Sequence, residues 1–203
     1  MTTEMVVVPV MLEGVQTRLE PLVKSHLEGL APVGLDEALW RWIPTPVRTR
    51  EEMAGYIETA LLEQERGVSL PFAIVDKATG RPIGSTRFGN IERAHRRLEI
   101  GWTWVAGPWQ RTAINTEAKY LLLTHAFESL GCIRVELKTD SLNDRSRAAI
   151  LRIGAKEEGV FRNHMITASG RIRHTVYFSI LDSEWPEVKA RLQAKLHSLS
   201  SRP

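Results

Sequence analysis

One stretch of the chain, residues 97–131, constrains the fold because it contains a strand, a short loop and a helix in that order. An alternating apolar run ends at Val105, and Gly107-Pro108 interrupt it. Apolar residues then recur at helical spacing, which predicts a helix that begins near Asn115 and stops at Gly131. Asn115 is a favourable N-cap residue, so we predict that its side chain caps this helix.

A loop that leads from a strand into a helix directs backbone N–H groups and the positive end of the helix dipole at one point. Such a point favours an anion, and above all a phosphate group. Many strand–loop–helix units bind nothing, so the pattern alone leaves both interpretations open. The two common phosphate fingerprints are missing, because the chain has no G-x-x-x-x-G-K-[ST] and residues 107–116 contain a single glycine. A phosphate held here must therefore bind N–H groups of a loop that is not glycine-rich.

The length of 203 residues and the 25% of charged residues predict one globular domain over residues 1–203. The net charge is +3, and the basic clusters are interrupted by apolar or acidic residues. We therefore expect a solvated surface and no nucleic-acid partner, although the mild positive charge favours a polyanionic small ligand. No apolar run approaches the length of a membrane span, so no membrane partner is expected.

The single cysteine, Cys132, cannot form an internal disulfide and begins an apolar strand pattern. We predict that it is a small buried apolar residue and that the protein is cytoplasmic, in a reducing setting. The apolar residues 1–11 lack the features of a signal peptide, and we interpret them as an edge segment or first strand.

Strand and helix patterns alternate irregularly, and most of the strands pair as hairpins. Thr49-Arg-Glu-Glu52 has the form of a capping box in front of a helix. The other predicted elements are strand 14–19, helix 21–30, short helix 36–42, strands 72–75 and 82–88, strand 132–139, helix 143–153, hairpin 159–181 and helix 183–196. This order predicts a mixed α/β (α+β) fold whose sheet is mainly antiparallel, and not a doubly wound parallel sheet.

This order of elements, with the residues at its centre, resembles the GNAT superfamily of acetyl-CoA-dependent N-acetyltransferases, and more closely its RimJ/RimL-like branch of ribosomal-protein Nα-acetyltransferases. The resemblance covers nearly the whole chain. Its most specific pieces are Glu99-Ile-Gly-Trp-Thr-Trp104, Asn115-Thr-Glu-Ala-Lys119, Asn143-x-x-Ser146 and Thr175-Val-Tyr-Phe-Ser-Ile-Leu181. The resemblance implies the GNAT (acyl-CoA N-acyltransferase) fold, with about seven mostly antiparallel strands that part between the fourth and fifth strands and are flanked by helices.

The resemblance also implies acetyl-CoA as co-substrate and no metal. Its pantetheine arm is expected along the backbone of the fourth strand, and Asn143 matches the position that hydrogen-bonds the pantetheine amides. The family loop Q/R-x-x-G-x-G/A holds the pyrophosphate by its N–H groups. The residues that these two segments assign to the cofactor are Trp102, Thr103, Trp104, Val105, Gln110, Arg111, Thr112, Ala113, Ile114, Asn115 and Thr116. Ala113 and Asn115 depart from the motif. Ala113 brings a Cβ to the position of the first glycine, and Asn115 replaces the last small residue.

Two residues are predicted to carry the chemistry. Glu99 lies on the fourth strand, where partial burial would raise its pKa and let it accept a proton from an amine; the alternative is an ion pair with Arg87 or Arg97. Ser146 matches the serine of the family's N-x-x-S segment, and its hydroxyl could donate to the leaving thiolate; the alternative is a helix-capping serine. Tyr120 is predicted to belong to the helix after the loop and not to the site.

The acceptor side is less defined. Trp40 and Trp42 fall in the segment that lines the acceptor mouth in this family, and packing in a helix core is the alternative. His164 and His174 lie on the two arms of the second hairpin and could face each other near the acceptor. No third ligand has suitable spacing, so no metal site is predicted, and His125 is expected to be structural.

The resemblance therefore implies an N-acetyltransferase that acts on a primary amine, in first place a protein or peptide N-terminus, by direct attack in a ternary complex. A small-molecule acetyltransferase for a polyamine, an amino acid or an antibiotic stays open, as does a coenzyme-A-binding protein without turnover. The RimL-like relatives also suggest a homodimer.

Overall fold

The computed structural model describes residues 5–200, apart from the Ser200 side chain, and these residues form one sheet of eight strands. In spatial order the strands are β1 (Leu12–Glu13), β2 (Thr17–Pro21), β3 (Leu70–Asp76), β4 (Arg81–Glu92), β5 (Arg97–Val105), β6 (Arg134–Asp140), β8 (Ile172–Leu181) and β7 (Lys156–Ile166). All neighbours are antiparallel except β5 and β6. The predicted fold class is confirmed, and the prediction of about seven strands missed β1, because two residues are too short for an alternating pattern.

Helices cover both faces of this sheet. Within residues 5–200 the α-helices are α1 (Leu27–Gly34), α2 (Glu37–Trp40), α3 (Arg50–Glu65), α4 (Ile114–Thr124), α5 (Asp144–Ile153) and α6 (Trp185–Ser200). A π-helical segment, His125–Ser129, continues α4 and is followed by Gly131, whose φ of +64° confirms the predicted glycine stop. No helix in this part of the chain is long and apolar enough to cross a membrane.

Local sequence explains the starts of α3 and α5. The Thr49 side chain accepts the N–H of Glu52 while the Glu52 carboxylate accepts the N–H of Thr49, so the predicted capping box is confirmed. Asn143 caps α5 by accepting a first-turn N–H. The predicted N-cap of α4 was wrong, because the cap residue is Ala113 and Asn115 already lies in the first turn.

The sheet separates two apolar layers. On one face, α4 and α6 pack against β3–β6 and β8 around side chains such as Phe88, Leu98 and Phe178. On the other face, α1, α2 and α3 cover β3 and the end of β5. Of the described residues, none from β6, β7 or β8 belongs to this second layer. The layer of α1, α2 and α3 therefore does not extend over that part of the sheet face.

The N-terminal prediction is partly confirmed. Residues 1–4 lie outside the described part, and residues 5–11 form no strand, but Met5 is buried and Val7 and Val10 pack against the core as an edge segment. Cys132 is a free, buried cysteine as predicted, and burial raises the pKa of its thiol to about 12.

Candidate functional site

β5 and β6 pair only at their beginnings, where Arg97–Glu99 lie beside Arg134–Glu136. Among the described strands, the rest of β5 pairs with β4 and the rest of β6 pairs with β8. The predicted parting of the fourth and fifth strands is confirmed; these strands are β5 and β6 here, because β1 was not predicted. The parting leaves Ile100–Val105 and Leu137–Asp140 with edges that face a gap. We call this gap the slot. Such edges can pair with an extended ligand as with an added strand.

A β-bulge lies three residues beyond Glu99, the last residue of β5 that pairs with β6. The register between β4 and β5 shifts between Ser85 and Arg87, so Trp102 and Thr103 together oppose Thr86. Trp102 has a φ of +49°, which is uncommon for a residue with a Cβ. Because bulges bend a strand and increase its twist, this one gives β5 a local reason to diverge from its parallel neighbour.

The loop after β5 offers free backbone donors. Within residues 5–200, the N–H groups of Arg111, Thr112 and Ala113 make no hydrogen bond. The first-turn N–H groups of α4 lack helical acceptors by geometry. Arg111 has a φ of +64°, and such a left-handed residue turns neighbouring N–H groups toward a common point. The loop therefore forms an anion site with little glycine.

Two of the predicted cofactor N–H groups are already used inside the chain. The N–H of Gln110 donates to the carbonyl of Gly107 at 3.1 Å. The N–H of Ile114 donates to the Thr112 hydroxyl at 3.3 Å. The Thr112 hydroxyl thus serves the start of α4, which explains why this helix begins before Asn115.

Side chains close the loop end of the slot. Gln110 donates from Nε2 to the carbonyl of Val105 at 2.7 Å and accepts from Nη2 of Arg145 at 2.8 Å. This bridge joins the end of β5 to the start of α5, so the two helix N-termini flank the same gap. Arg111 and Arg145 are exposed and bring positive charge there. The Asn115 Oδ1 is buried without a partner.

Glu99 is buried, with 3% of its surface exposed, and faces away from the α4 side of the sheet. Its carboxylate lies 2.7 Å from the Lys138 ammonium and accepts from Nδ2 of Asn90 at 2.6 Å. The predicted arginine partners were wrong, since Arg87 pairs with Glu63 and Arg97 pairs with Glu92 and Glu136. Burial raises the pKa of Glu99, although Lys138 and Asn90 act in the opposite direction. A carboxylate whose pKa is raised by burial is suited to accept a proton, because burial disfavours its charged form.

Asn143 and Ser146 start α5 on the other side of the slot. The side-chain oxygen of Asn143 accepts the N–H of Ser146 at 3.1 Å. The Ser146 hydroxyl makes no hydrogen bond to any described residue and is half-buried. Asn143 is therefore the capping residue, and the Ser146 hydroxyl is left available for a ligand.

The two tryptophans of the predicted acceptor segment differ. Trp40 is 2% exposed, donates from Nε1 to the carbonyl of Gly34 and packs on the ring of Trp104. Its prediction as a substrate-binding wall is corrected to packing in the helix core. Trp42 is half-buried, and its carbonyl accepts from Nη1 of Arg173 at 3.2 Å, so it borders the polar face of β8.

The two histidines of the second hairpin do not face each other. His164 contacts the Thr175 hydroxyl at 3.0 Å and approaches the Tyr177 hydroxyl at 3.5 Å. His174 is on the other side of β8, because it alternates with Thr175, and it accepts the N–H of Asn163. Only His164 therefore lies on the Glu99 side. No group of three or more metal-type side chains occurs in the described ranges, and His125 stacks on Phe88 as a structural residue.

A cavity of about 450 Å³ opens beside Glu99 on the uncovered face. Asn90 and Lys138, the partners of Glu99, line it together with the stacked rings of Phe161 and Tyr177. Charged residues that pair with one another form most of the remaining lining: Glu92, Arg97, Arg134, Glu136 and Glu158. We call this cavity the trough. It is open enough for an extended ligand.

Sequence reasoning missed Lys119 and Lys138. Lys138 contacts Glu99 through a strand register that local patterns do not reveal. Lys119 interrupts the apolar stripe of α4, and that position was the available signal. It is 8% exposed, and burial lowers the pKa of its amine to about 7. Tyr120 instead packs towards α6, where its hydroxyl contacts Gln193, as its exclusion from the site predicted.

Comparison with known proteins defines the class of this fold and site. The sequence model of the family described as acetyltransferase (GNAT) domain matches residues 16–156. The chain therefore belongs to the GNAT acetyltransferase family.

Individual relatives are consistent with the RimJ/RimL-like branch. The Bacillus subtilis (strain 168) protein named "Putative ribosomal N-acetyltransferase YdaF" is 36% identical over 106 residues, which cover 52% of this chain and only 57% of that protein. A crystal structure of a GCN5-related N-acetyltransferase from Brucella melitensis has a TM-score of 0.85 at 35% identity, covering 94% of this chain and 86% of that one. Mycobacterium smegmatis RimJ in complex with CoA-disulfide has a TM-score of 0.81 at 24% identity, covers 92% and 95%, and shares the fold.

Proposed function

We propose that this protein transfers the acetyl group of acetyl-CoA to a primary amine, in first place the N-terminus of a protein or peptide. One observation carries the proposal: β5 and β6 part directly beyond Glu99, and the slot ends at a loop with free N–H groups. A buried proton acceptor, a gap for an extended arm and an anion site thus follow one another along a single strand and loop.

The residues around the slot fit acetyl-CoA. The edge at Trp102–Trp104 offers backbone groups to the pantetheine arm, and Val105 can offer its N–H, since its carbonyl already accepts from Gln110. The free N–H groups of Arg111–Ala113 would hold the pyrophosphate. Ala113 supplies only a methyl group, so its departure from the family motif leaves these N–H groups reachable. The Nδ2 of Asn143 makes no hydrogen bond within the described part of the chain, and it can donate to the arm from the α5 side.

Glu99 and Ser146 would divide the proton chemistry. Bond formation between the amine nitrogen and the acetyl carbon requires the nitrogen to lose a proton, and Glu99 would accept it. Breaking of the carbon–sulfur bond leaves a thiolate, to which the Ser146 hydroxyl would donate a hydrogen bond. The charge of Lys138 opposes the effect of burial on the pKa of Glu99 and so keeps the carboxylate available as a base.

The trough supports a polypeptide acceptor over a small amine. It lies on a sheet face that the α1–α3 layer leaves uncovered, and it runs from Glu99's partners to the aromatic pair of Phe161 and Tyr177. An enclosed pocket would suit a small amine better, because such sites bury most of the ligand surface.

Two matched peptides test the acceptor. One has a free N-terminus and no lysine, the other has the same sequence with a blocked N-terminus and one internal lysine, and a polyamine serves as the small amine. We expect mass spectrometry to show a single added acetyl group on the first peptide only. Acetylation of the polyamine alone would contradict the proposed acceptor.

A coenzyme-A-binding protein without turnover is the second candidate, and the Ala113 and Asn115 departures favour it. It would be supported if calorimetry shows that the wild type and Glu99→Gln bind acetyl-CoA equally well and no acceptor is acetylated. The cytoplasmic location and the homodimer stay predictions; the buried free thiol of Cys132 supports the first, and light scattering would test the second.

A further inference from the structure

We propose that Lys119 is a positioning residue of the slot, which holds Thr103 and thereby fixes the bulge of β5 just beyond the point where β5 leaves β6. The inference rests on the proposed use of the slot for acetyl-CoA. Lys119 itself contacts the strand from behind, on the α4 side, and would not touch the ligand.

Three hydrogen-bonding contacts converge on the Thr103 hydroxyl. Nζ of Lys119 donates to Thr103 Oγ1 at 2.7 Å. The Thr86 hydroxyl of β4 lies 2.8 Å from the same atom, and the carbonyl of Gly101 accepts from it at 3.4 Å. One hydroxyl therefore ties α4, β4 and both ends of the Trp102 turn together.

The bulge requires such a restraint. Trp102 is held at a φ of +49°, a conformation that costs free energy for a residue with a Cβ and persists only where the surroundings enforce it. The strand beyond this point has lost its β6 partner, so β4 is its remaining strand neighbour among the described residues. The Lys119 contact supplies the support that the missing pairing does not.

General stability does not account for a lysine at this position. An amine that is 8% exposed is costly to bury, and a methionine of similar length would pack in the same space without that cost. Thr103 is the hydrogen-bond partner of Lys119 within residues 5–200. The hydrogen bond to Thr103 therefore explains why a lysine is present at this position.

Calorimetry with acetyl-CoA, together with steady-state kinetics, tests this role. We expect Lys119→Met to raise the Kd and the KM for acetyl-CoA about tenfold, the effect of one lost hydrogen bond. The kcat at saturating acetyl-CoA and the KM for the acceptor should change less than about threefold, because Glu99 lies on the other face. Thr103→Val should give the same effect, and the double variant should be no worse than either, since both remove one contact.

Glu117→Gln is the matched control, because Glu117 is buried on the same helix and its carboxylate holds the N–H groups of Val15, Gln16 and Thr17, beside β1 and β2 at the edge of the sheet. It should lower thermal stability and leave the affinity for acetyl-CoA unchanged. Equal affinity of the wild type, Lys119→Met and Thr103→Val would overturn the inference, as would additive losses in the double variant. If Lys119→Met does not fold, Thr103→Val decides alone. A wild-type protein that binds no acetyl-CoA would overturn the proposed function itself, which is a different result.

Discussion

A buried ionisable group lies against each face of β5, and the two groups have different partners. Glu99 faces the trough, where an ammonium and an amide satisfy its carboxylate. Lys119 approaches the opposite face and meets one hydroxyl. Burial raises the pKa of Glu99 and lowers the pKa of Lys119 to about 7, so the same physical cause brings an acid and a base towards neutrality.

One face of β5 can therefore serve the chemistry, while the other fixes the shape of the strand. A carboxylate that must accept and release protons needs partners that permit both of its protonation states, as Lys138 and Asn90 do for Glu99. A group that only fixes backbone geometry can be sealed behind the strand. If this division is correct, variants on the two faces should affect separate kinetic parameters.

The largest effect is expected on the Glu99 side. Glu99→Gln should lower kcat by about 10²- to 10⁴-fold, because the amine proton loses its acceptor. In the wild type the rate should fall as the pH drops through the raised pKa of Glu99, since the protonated carboxyl cannot act as a base. A pH–rate profile should lose this acidic limb in Glu99→Gln, while the Kd for acetyl-CoA stays the same.

Lys138→Met sharpens the same test. Removing the ammonium takes away an interaction that lowers the pKa of Glu99, so the acidic limb should move to higher pH. An acidic limb that persists unchanged in Glu99→Gln would exclude Glu99 as the base.

Ala113→Glu addresses the loop end of the slot. The added carboxylate would lie among the N–H groups proposed for the pyrophosphate, and we expect the Kd for acetyl-CoA to rise about 100-fold by charge repulsion and lost contacts. Ala113→Gln is the control for size without charge and should cost less. Calorimetry that gives wild-type affinity for Ala113→Glu would contradict the assignment of this loop.

Sequence predicted the strand, loop and helix of residues 97–131 better than the surroundings of Glu99, for a physical reason. The strand, loop and helix of residues 97–131 are contiguous, so local periodicity and the Gly131 stop define them. The site around Glu99 is assembled from several strands, and its partner Lys138 depends on a parallel register that no local signal contains. A bulge between Phe161 and Met165 likewise changes which side chains of β7 meet β8, and the pairing of His164 with His174 failed there.

The remaining local error is the predicted start of α4 at Asn115. Asn115 has a strong preference for N-cap positions, yet the Thr112 hydroxyl takes the N–H of Ile114 and moves the helix start forward. Propensity alone does not show which of two polar side chains, three residues apart, accepts the first N–H of the helix.

The stability of Lys119→Met tests whether the buried amine of Lys119 is uncharged in the fold. The pKa of Lys119 is about 7 in the folded protein, against 10.5 ordinarily. Between these values the unfolded chain binds more protons, so the wild-type free energy of unfolding should rise with pH by up to about 1.4 kcal/mol per unit. In urea unfolding at pH 7, 8 and 9, the free energy of unfolding of the wild type should rise relative to that of Lys119→Met. Lys24→Met, at a side chain that is 80% exposed, should keep a constant difference from the wild type. A constant difference for Lys119→Met as well would mean that Lys119 is charged in the fold.

The smallest effect is expected at Ser146, which stands across the slot from both groups. Its N–H takes part in the α5 cap, and this contact survives in Ser146→Ala because Asn143 supplies the acceptor. Stability should therefore be unchanged, whereas kcat should fall about tenfold if the free hydroxyl donates to the leaving thiolate. Asn143→Ala is the contrasting variant, since it removes the cap and should lower stability by about 1 kcal/mol. A Ser146→Ala enzyme with wild-type kcat would leave the hydroxyl without a part in the reaction, and thiolate departure would then depend on solvent and backbone donors.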